Sequence, residues 1–343
     1  MPAYDDYTWH EIQSQPEAWA ATLVALQAEA VRIQAFFEAA RTEQIVYIGC
    51  GSTYYLALAA AAAMREIAGR NAIGLPASEA WLAPNSSFPT RQRTLLVAIS
   101  RSGETTETLR AVESFRAADR GPILTLSCYS DHALAHMGDL NIILPAGQEQ
   151  SIAQTRAFST LYLATLFLAA LIAGRTDLIS ALELLPEACR QVLDHSCELA
   201  SRLAEDVQLT RCFFLGSGSR YGLASELSLK MKEMSLSESE PFHFLEYRHG
   251  PQSMASQQTL IIGLVSSSAQ AHEQAVLADM HALGARTIVV GPDSADVVLA
   301  DLDELVRGPL YLPFGQLLAY ERAIRRGLNP DRPHQLTAVI RLA

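Results

Sequence analysis

Glu226, Lys230 and Glu233 stand four and three residues apart, and Lys230 and Lys232 are the only lysines in a chain whose 26 basic residues are otherwise arginine. On a helix these spacings bring the three onto one face, beside an apolar stripe of Leu223, Leu227, Met231 and Met234. An ammonium is a compact charge that can lose its proton, a property a guanidinium does not share. A carboxylate next to it is a candidate general base for a proton on carbon. The same spacing also describes a solvent-facing salt-bridge series, so the pattern alone leaves a surface helix open. Further on, His249 sits in Glu246-Tyr247-Arg248-His249-Gly250-Pro251. The Gly-Pro pair fixes a turn that presents an imidazole, the natural proton shuttle near neutral pH.

Two other stretches are rich in small and hydroxylated residues: Gly49-Cys50-Gly51-Ser52-Thr53 and Ser100-Arg101-Ser102-Gly103-Glu104-Thr105. Each follows an apolar strand and opens a helix, where backbone N–H groups and hydroxyls together hold a phosphate. In the second stretch alternating hydroxyls line one side, Gly103 permits a tight bend and Thr105 reaches back as a further donor. Position 54 is Tyr, so the Gly-x-Gly-x-x-Gly fingerprint is not completed and no nucleotide cofactor is expected. No cluster has the spacing of a metal site, and no cofactor of any kind is called for. A carboxylate, an ammonium, an imidazole and a phosphate cradle suffice for proton transfer on a phosphorylated sugar.

The elements that must position these groups occur twice. VYIGCGSTYYL from Val46 is matched by CFFLGSGSRYGL from Cys212, and LLVAISRSGETTETL from Leu95 by LIIGLVSSSAQAHEQ from Leu260. Third strands follow in PILTLSC (122–128) and RTIVVGP (286–292), giving a repeat of about 167 residues, too long for a solenoid and right for a duplicated domain. Continuous apolar strands alternating with helices predict doubly wound parallel sheets, an α/β fold, with ligands beyond the carboxyl ends of the strands. The expected organisation is an N-terminal helical arm over 1–39, a first domain over 40–175, a helical connection over 176–204, and a second domain with a C-terminal tail over 205–343. The copies are unequal. Ser266-Ser267-Ser268 lacks the Gly-Glu-Thr of the first copy, and the helix that is nearly pure alanine from Ala57 to Ala63 carries Glu226, Lys230 and Glu233 in the second.

At 343 residues there is room for two cores. A formal charge of −11 leaves no basic surplus for a phosphate backbone, so no nucleic-acid partner is expected. The segment from Met1 to Gln15 lacks the basic-then-apolar pattern of a secretory signal. Leu161 to Ala173, the longest apolar run, is too short to span a bilayer, so no membrane association is expected either. Five cysteines without a Cys-x-x-Cys pair fit a reducing, cytoplasmic setting.

HEIQSQPEA, GCGSTYYL, SRSGETTETL, EQSIAQTRAFS, SELSLKMKEMS, EYRHGP and NPDRPHQL, in that order, resemble the sugar isomerase (SIS) domain family. The likeness is to tandem-domain members related to the isomerase half of glucosamine-6-phosphate synthase. The resemblance implies tandem SIS domains, a hexose 6-phosphate substrate and a homodimer. Carried over by position, Ser52, Thr53, Ser100, Arg101, Ser102 and Thr105 are the implied phosphate binders; Gly51, Ile152, Ala153 and Gln154 line the sugar pocket. Glu233 matches the base that moves a proton between C1 and C2, with Lys230 and Glu226 as its helix partners. His249 matches the group that opens the sugar ring, reaching into the neighbouring subunit's site. Two departures stand out: the family's tail lysine is replaced by Ala338, and the synthase's glutaminase domain, with its cysteine nucleophile at position 2, has no counterpart in Met1-Pro2-Ala3. Glutamine is therefore not the expected nitrogen source, and Ala153-Gln154-Thr155-Arg156 resembles the deaminase-type branch. The reaction implied is conversion of glucosamine 6-phosphate to fructose 6-phosphate and ammonia. The alternatives are another phosphosugar isomerase, a fructosamine-6-phosphate deglycase or a non-catalytic sugar-phosphate sensor.

Overall fold

The computed structural model describes residues 5–88 and 92–342; the Met1-Pro2-Ala3 start lies outside the described residues. The apolar runs become strands: β1 (Gln44–Gly49), β2 (Ala72–Pro76), β3 (Thr94–Ser100), β4 (Ile123–Ser127) and β5 (Leu140–Ile143). All pair in parallel, in the order β2-β1-β3-β4-β5. Strands β6 (Arg211–Leu215), β7 (Glu238–Phe242), β8 (Thr259–Leu264), β9 (Arg286–Gly291) and β10 (Val297–Val298) form a second sheet, ordered β10-β9-β8-β6-β7. Taken from the β7 edge, the second order repeats the first. The duplication seen in the residues is thus a duplication of topology.

This order decides where chemistry can occur. In each sheet the chain reverses its direction of growth between the first strand and the third, β1 and β3 or β6 and β8. A crevice opens outside the carboxyl ends at such a switch point. The turn after β1 is Gly49-Cys50-Gly51-Ser52 and the turn after β3 is Ser100 to Thr105, so both hydroxyl-rich stretches flank one crevice. Strand β3 is buried along its whole length, as a strand covered on both faces must be.

The helix Ser52–Ala68 shows why its middle is alanine. A Cβ on Gly74 of β2 would sit 2.6 Å from the Ala57 backbone, so helix and strand meet with no room for larger groups. Ala57 and Ala59 to Ala63 are buried.

The chain divides into two compact units. One holds the second sheet and comprises the chain as far as Pro16, Gln150–Thr155 and Leu184–Leu336; the other holds the first sheet and comprises Glu17–Glu149, Arg156–Glu183 and the tail from Thr337. The units are therefore discontinuous, which differs from the expected linear spans. The expected arm resolves into two helices, Tyr7–Gln13 and Gln15–Ala40, which fall in different units. Within the expected connection, Leu185–Glu205 packs on Leu312–Arg325 inside the second-sheet unit.

Candidate active site

In the first-sheet unit the two turns are built by their own hydroxyls. Thr53 Oγ1 accepts from the Cys50 N–H at 2.9 Å and donates to the Cys50 carbonyl at 2.9 Å, closing the bend that leads into the helix Ser52–Ala68. Gly51 takes φ +55°, and a Cβ on Gly49 would meet the Thr53 backbone at 2.4 Å. In the neighbouring turn Ser100 Oγ accepts from the Gly103 N–H at 3.1 Å and lies 3.3 Å from Thr105 Oγ1; Ser102 Oγ accepts from the Glu104 N–H at 3.2 Å. Gly103 has φ +68°. Ser52, Thr53, Ser100 and Ser102 are all buried. The result is a compact cradle of hydroxyls and small residues at two adjacent strand ends.

Arg101 takes a different place from the hydroxyls it was grouped with. Its guanidinium donates to Glu149 Oε2 at 3.1 Å and to the Ala338 carbonyl at 3.3 Å. Glu149 Oε1 in turn accepts from the Ala157 N–H at 3.0 Å, in the first turn of the helix Arg156–Ile172. Arg101 therefore ties the cradle to a helix start and to the tail. His132 was not singled out by the sequence. Its Nδ1 lies 2.5 Å from the Ser102 carbonyl, its ring stacks on Tyr129, and the Gly103 carbonyl accepts from the Leu134 N–H, so the segment after β4 buttresses the cradle. The tail also reaches this turn: the Thr106 N–H donates to the Ile340 carbonyl, and Arg341 pairs with Glu104 at 2.6 Å.

The second-sheet unit carries the other constellation on the helix Ser219–Ser235. Glu226 and Lys230 have fully buried side chains, Lys230 Nζ is 3.3 Å from Glu226 Oε1, and it bonds Glu233 Oε2 as well. This is no solvent-facing series. Only Glu233, 19% exposed, reaches the surface. Burial acts to lower the Lys230 pKa, but the charges of Glu226 and Glu233 outweigh it and hold the ammonium above its ordinary value. The triad thus has one buried carboxylate, one buried cation and one carboxylate at the protein surface. Leu227 of the stripe fills the gap over Gly315, where a Cβ would approach it to 2.7 Å.

Ile152, Ala153 and Gln154 belong to the same unit as this helix. Their segment is held by two buried residues, Glu11 through its carboxylate and Asp331 through its backbone carbonyl. Glu11 accepts from the N–H groups of Gln150 at 2.5 Å and Ser151 at 3.2 Å, and from the Ser151 hydroxyl. Asp331 accepts from Tyr7 and Thr8 at the start of the helix Tyr7–Gln13, while its own carbonyl accepts from the Ile152 N–H at 3.0 Å. Gln316 donates to the Thr155 carbonyl at 3.2 Å. Gln154 Oε1 is buried with no hydrogen-bond partner. Three remote motifs, HEIQ, EQSIAQT and NPDRP, are thereby one local assembly. Glu11 and Asp331 are buried residues that the sequence reading missed.

His249 is exposed, in the turn after the 3₁₀ segment Glu246–Arg248, and Gly250 beyond it takes φ +129°. Among the described residues no group of three or more His, Cys, Asp or Glu side chains is arranged to hold a metal, and no helix is long and apolar enough to cross a membrane.

Two switch-point sheets, one with a hydroxyl cradle and one with a buried carboxylate–ammonium–carboxylate triad, define an α/β protein. Residues 11–173 match the SIS domain family. Glutamine–fructose-6-phosphate aminotransferase (isomerizing) of Sulfurisphaera tokodaii is 26% identical over 343 residues, covering 98% of this chain and 56% of that protein. Its namesake from Pyrobaculum aerophilum is 28% identical, covering 98% of this chain and 58% of that protein. The chain spans a little over half the length of these curated relatives. Among solved structures, glucosamine-6-phosphate deaminase from Thermotoga maritima superposes with a TM-score of 0.81 at 26% identity, covering 97% of this chain and 99% of that one. Tagatose-6-phosphate ketose/aldose isomerase from Escherichia coli, with a TM-score of 0.87, 22% identity and 98% coverage of each chain, shares the fold.

Proposed function

We propose that the chain is a tandem SIS protein that moves a proton between C1 and C2 of a hexose 6-phosphate, and that its reaction is conversion of glucosamine 6-phosphate to fructose 6-phosphate and ammonia. The observation that carries the reading is the triad on the helix Ser219–Ser235: a buried lysine pairs with two carboxylates, of which only Glu233 is accessible. In this reading the cradle of Ser52, Thr53, Ser100, Ser102 and Thr105 holds the phosphate, with Arg101 fixing the cradle. Gln154 Oε1, buried without a partner, accepts from a sugar hydroxyl. His249 opens the ring, Glu233 takes the C2 proton to give an enolamine and returns it to C1, and water hydrolyses the resulting imine at C2 to release ammonia and leave the ketose. A positioned base contributes about 10² to 10⁴ in rate.

The 26% identity with a deaminase over almost the whole chain supports loss of nitrogen as the outcome. The relatives named isomerizing aminotransferases support the proton step itself and, with it, the second reading of aldose–ketose isomerisation without nitrogen release. Purified protein incubated with a panel of amino and neutral hexose 6-phosphates, with ammonia and ketose assayed separately, decides between them. Ketose and ammonia in equal amounts from glucosamine 6-phosphate is the expected result. Ketose without ammonia, from a neutral sugar phosphate only, selects the isomerase, and no turnover of any member overturns both.

A further inference from the structure

The second switch point has kept the form of a phosphate cradle but is already filled. The turn after β8 is Ser266-Ser267-Ser268, leading to the helix Gln270–Ala282, and the turn after β6 is Gly216-Ser217-Gly218 leading to the helix Ser219–Ser235. Here the anion is the protein's own. Glu304, 36 residues further on, accepts from the Ser268 N–H at 2.9 Å and from its hydroxyl at 3.2 Å. Glu273 accepts from the Ser266 N–H at 2.6 Å and its hydroxyl at 2.9 Å. Arg220, where the first copy has Thr53, bridges the two carboxylates at 2.7 Å to Glu304 and 3.4 Å to Glu273. Arg307 donates to Ser267 Oγ at 3.0 Å. An open concavity lined by Ser267, Ser268, Gln270, His272 and Ser294 borders this cluster.

We propose that Glu304 is an internal stand-in for a bound phosphate, and that through it Arg220 is a positioning residue for the helix that carries Glu226, Lys230 and Glu233. A phosphate cradle presents N–H groups and hydroxyls that a carboxylate can satisfy equally well. By filling the second cradle from within, the chain confines phosphate-ester binding to the first sheet. The residual anion pocket becomes a clamp: Arg220 lies in the first turn of the Glu233 helix, its partner Glu273 on the helix Gln270–Ala282, and Glu304 in the connection after β10. The positioning half of this inference rests on the proposed function of Glu233; the stand-in half does not.

The stand-in is tested by calorimetric titration of the full chain with inorganic phosphate. Glu304→Ala should take up one phosphate per chain more than the unmodified protein, because the vacated cradle now faces solvent. No additional phosphate overturns the proposal. If the alanine variant unfolds, phosphate or formate supplied during refolding should restore its melting transition, and failure at every concentration counts against the stand-in. The clamp is tested with Glu304→Gln, which keeps the size and an acceptor for Ser268 but removes the charge facing Arg220. Its kcat should fall by about tenfold with KM for the hexose 6-phosphate within about twofold, since a helix shift misplaces the base without touching the phosphate. Unchanged kcat overturns the positioning role. Should the unmodified protein turn over no hexose 6-phosphate at all, the proposed function falls, while one extra phosphate on Glu304→Ala still supports the stand-in.

Discussion

Glu233 and Lys230 differ in what their removal should reveal. Glu233→Gln keeps the hydrogen-bonding reach of the side chain and deletes the base, so hexose 6-phosphate binding should persist while turnover falls by at least about a hundredfold, read by calorimetry and steady-state kinetics. Retained turnover would assign the base elsewhere. Lys230→Met instead leaves Glu226, fully buried, without its cation, and breaking such a pair costs about 3–5 kcal/mol. The melting temperature should drop sharply, and adding Glu226→Gln should recover part of the loss. A single variant as stable as the parent would mean that the pair is not what holds this helix. The raised pKa of Lys230 sets the pH window of its contribution: stability from the charged form is present at neutral pH and is lost only as pH rises through the elevated folded value. At this scale the sequence spacing marked the three residues and their shared face. It left their exposure open, because a four-and-three spacing is the same on a wet face and a dry one. The helix Leu312–Arg325, an element remote in sequence, packs against the helix that carries them.

Among the elements, the cradle turn depends on one left-handed residue. Gly103 has φ +68° and a Cβ added there would lie 3.3 Å from His132 Cβ, so Gly103→Ala must bear a left-handed backbone, about 1–2 kcal/mol, and press on the segment that buttresses the turn. Affinity for hexose 6-phosphates should fall by about tenfold or more, the energy converting at the usual 1.4 kcal/mol per decade, while the fold survives. An unaltered dissociation constant would remove this turn from the phosphate site. The strands around it were legible: β1, β3, β4, β6, β8 and β9 are continuous apolar runs ending at Gly or Ser turns. Strand β7 was not, because Glu238-Ser239-Glu240-Pro241-Phe242 is polar and contains a proline, which a sheet admits at its edge, where β7 lies. Nor was the home of Gln150–Thr155. Its anchors, Glu11 and Asp331, sit about 140 and 180 residues away, and a carboxylate near a chain end reads as surface until its N–H partners are known.

At the scale of the whole molecule, two copies of one topology have divided their labour: the first sheet keeps a hydroxyl cradle and the second keeps a charged triad. The homodimer that the family resemblance implies would add a further division, with His249 serving the partner's site. Its exposure in one subunit, on a turn opened by Gly250, is what such a role needs. If each site takes Glu233 from one subunit and His249 from the other, Glu233→Gln and His249→Asn subunits, each nearly inactive alone, should complement when mixed. Random exchange makes about half the dimers mixed, and an isologous interface gives each mixed dimer one site with both groups and one with neither, so activity returns to about a quarter of the parent. A subunit that carries both groups in its own site gives no recovery, because every site then lacks one. An interface that does not exchange would imitate that result, so the two variants are co-expressed with different tags and the doubly tagged species is purified before assay. Activity of that species near half the parent's per dimer is the expected outcome. A dimer that is pure, mixed and inactive would return His249 to its own subunit or remove it from the reaction, and a species that never carries both tags would exclude the dimer itself.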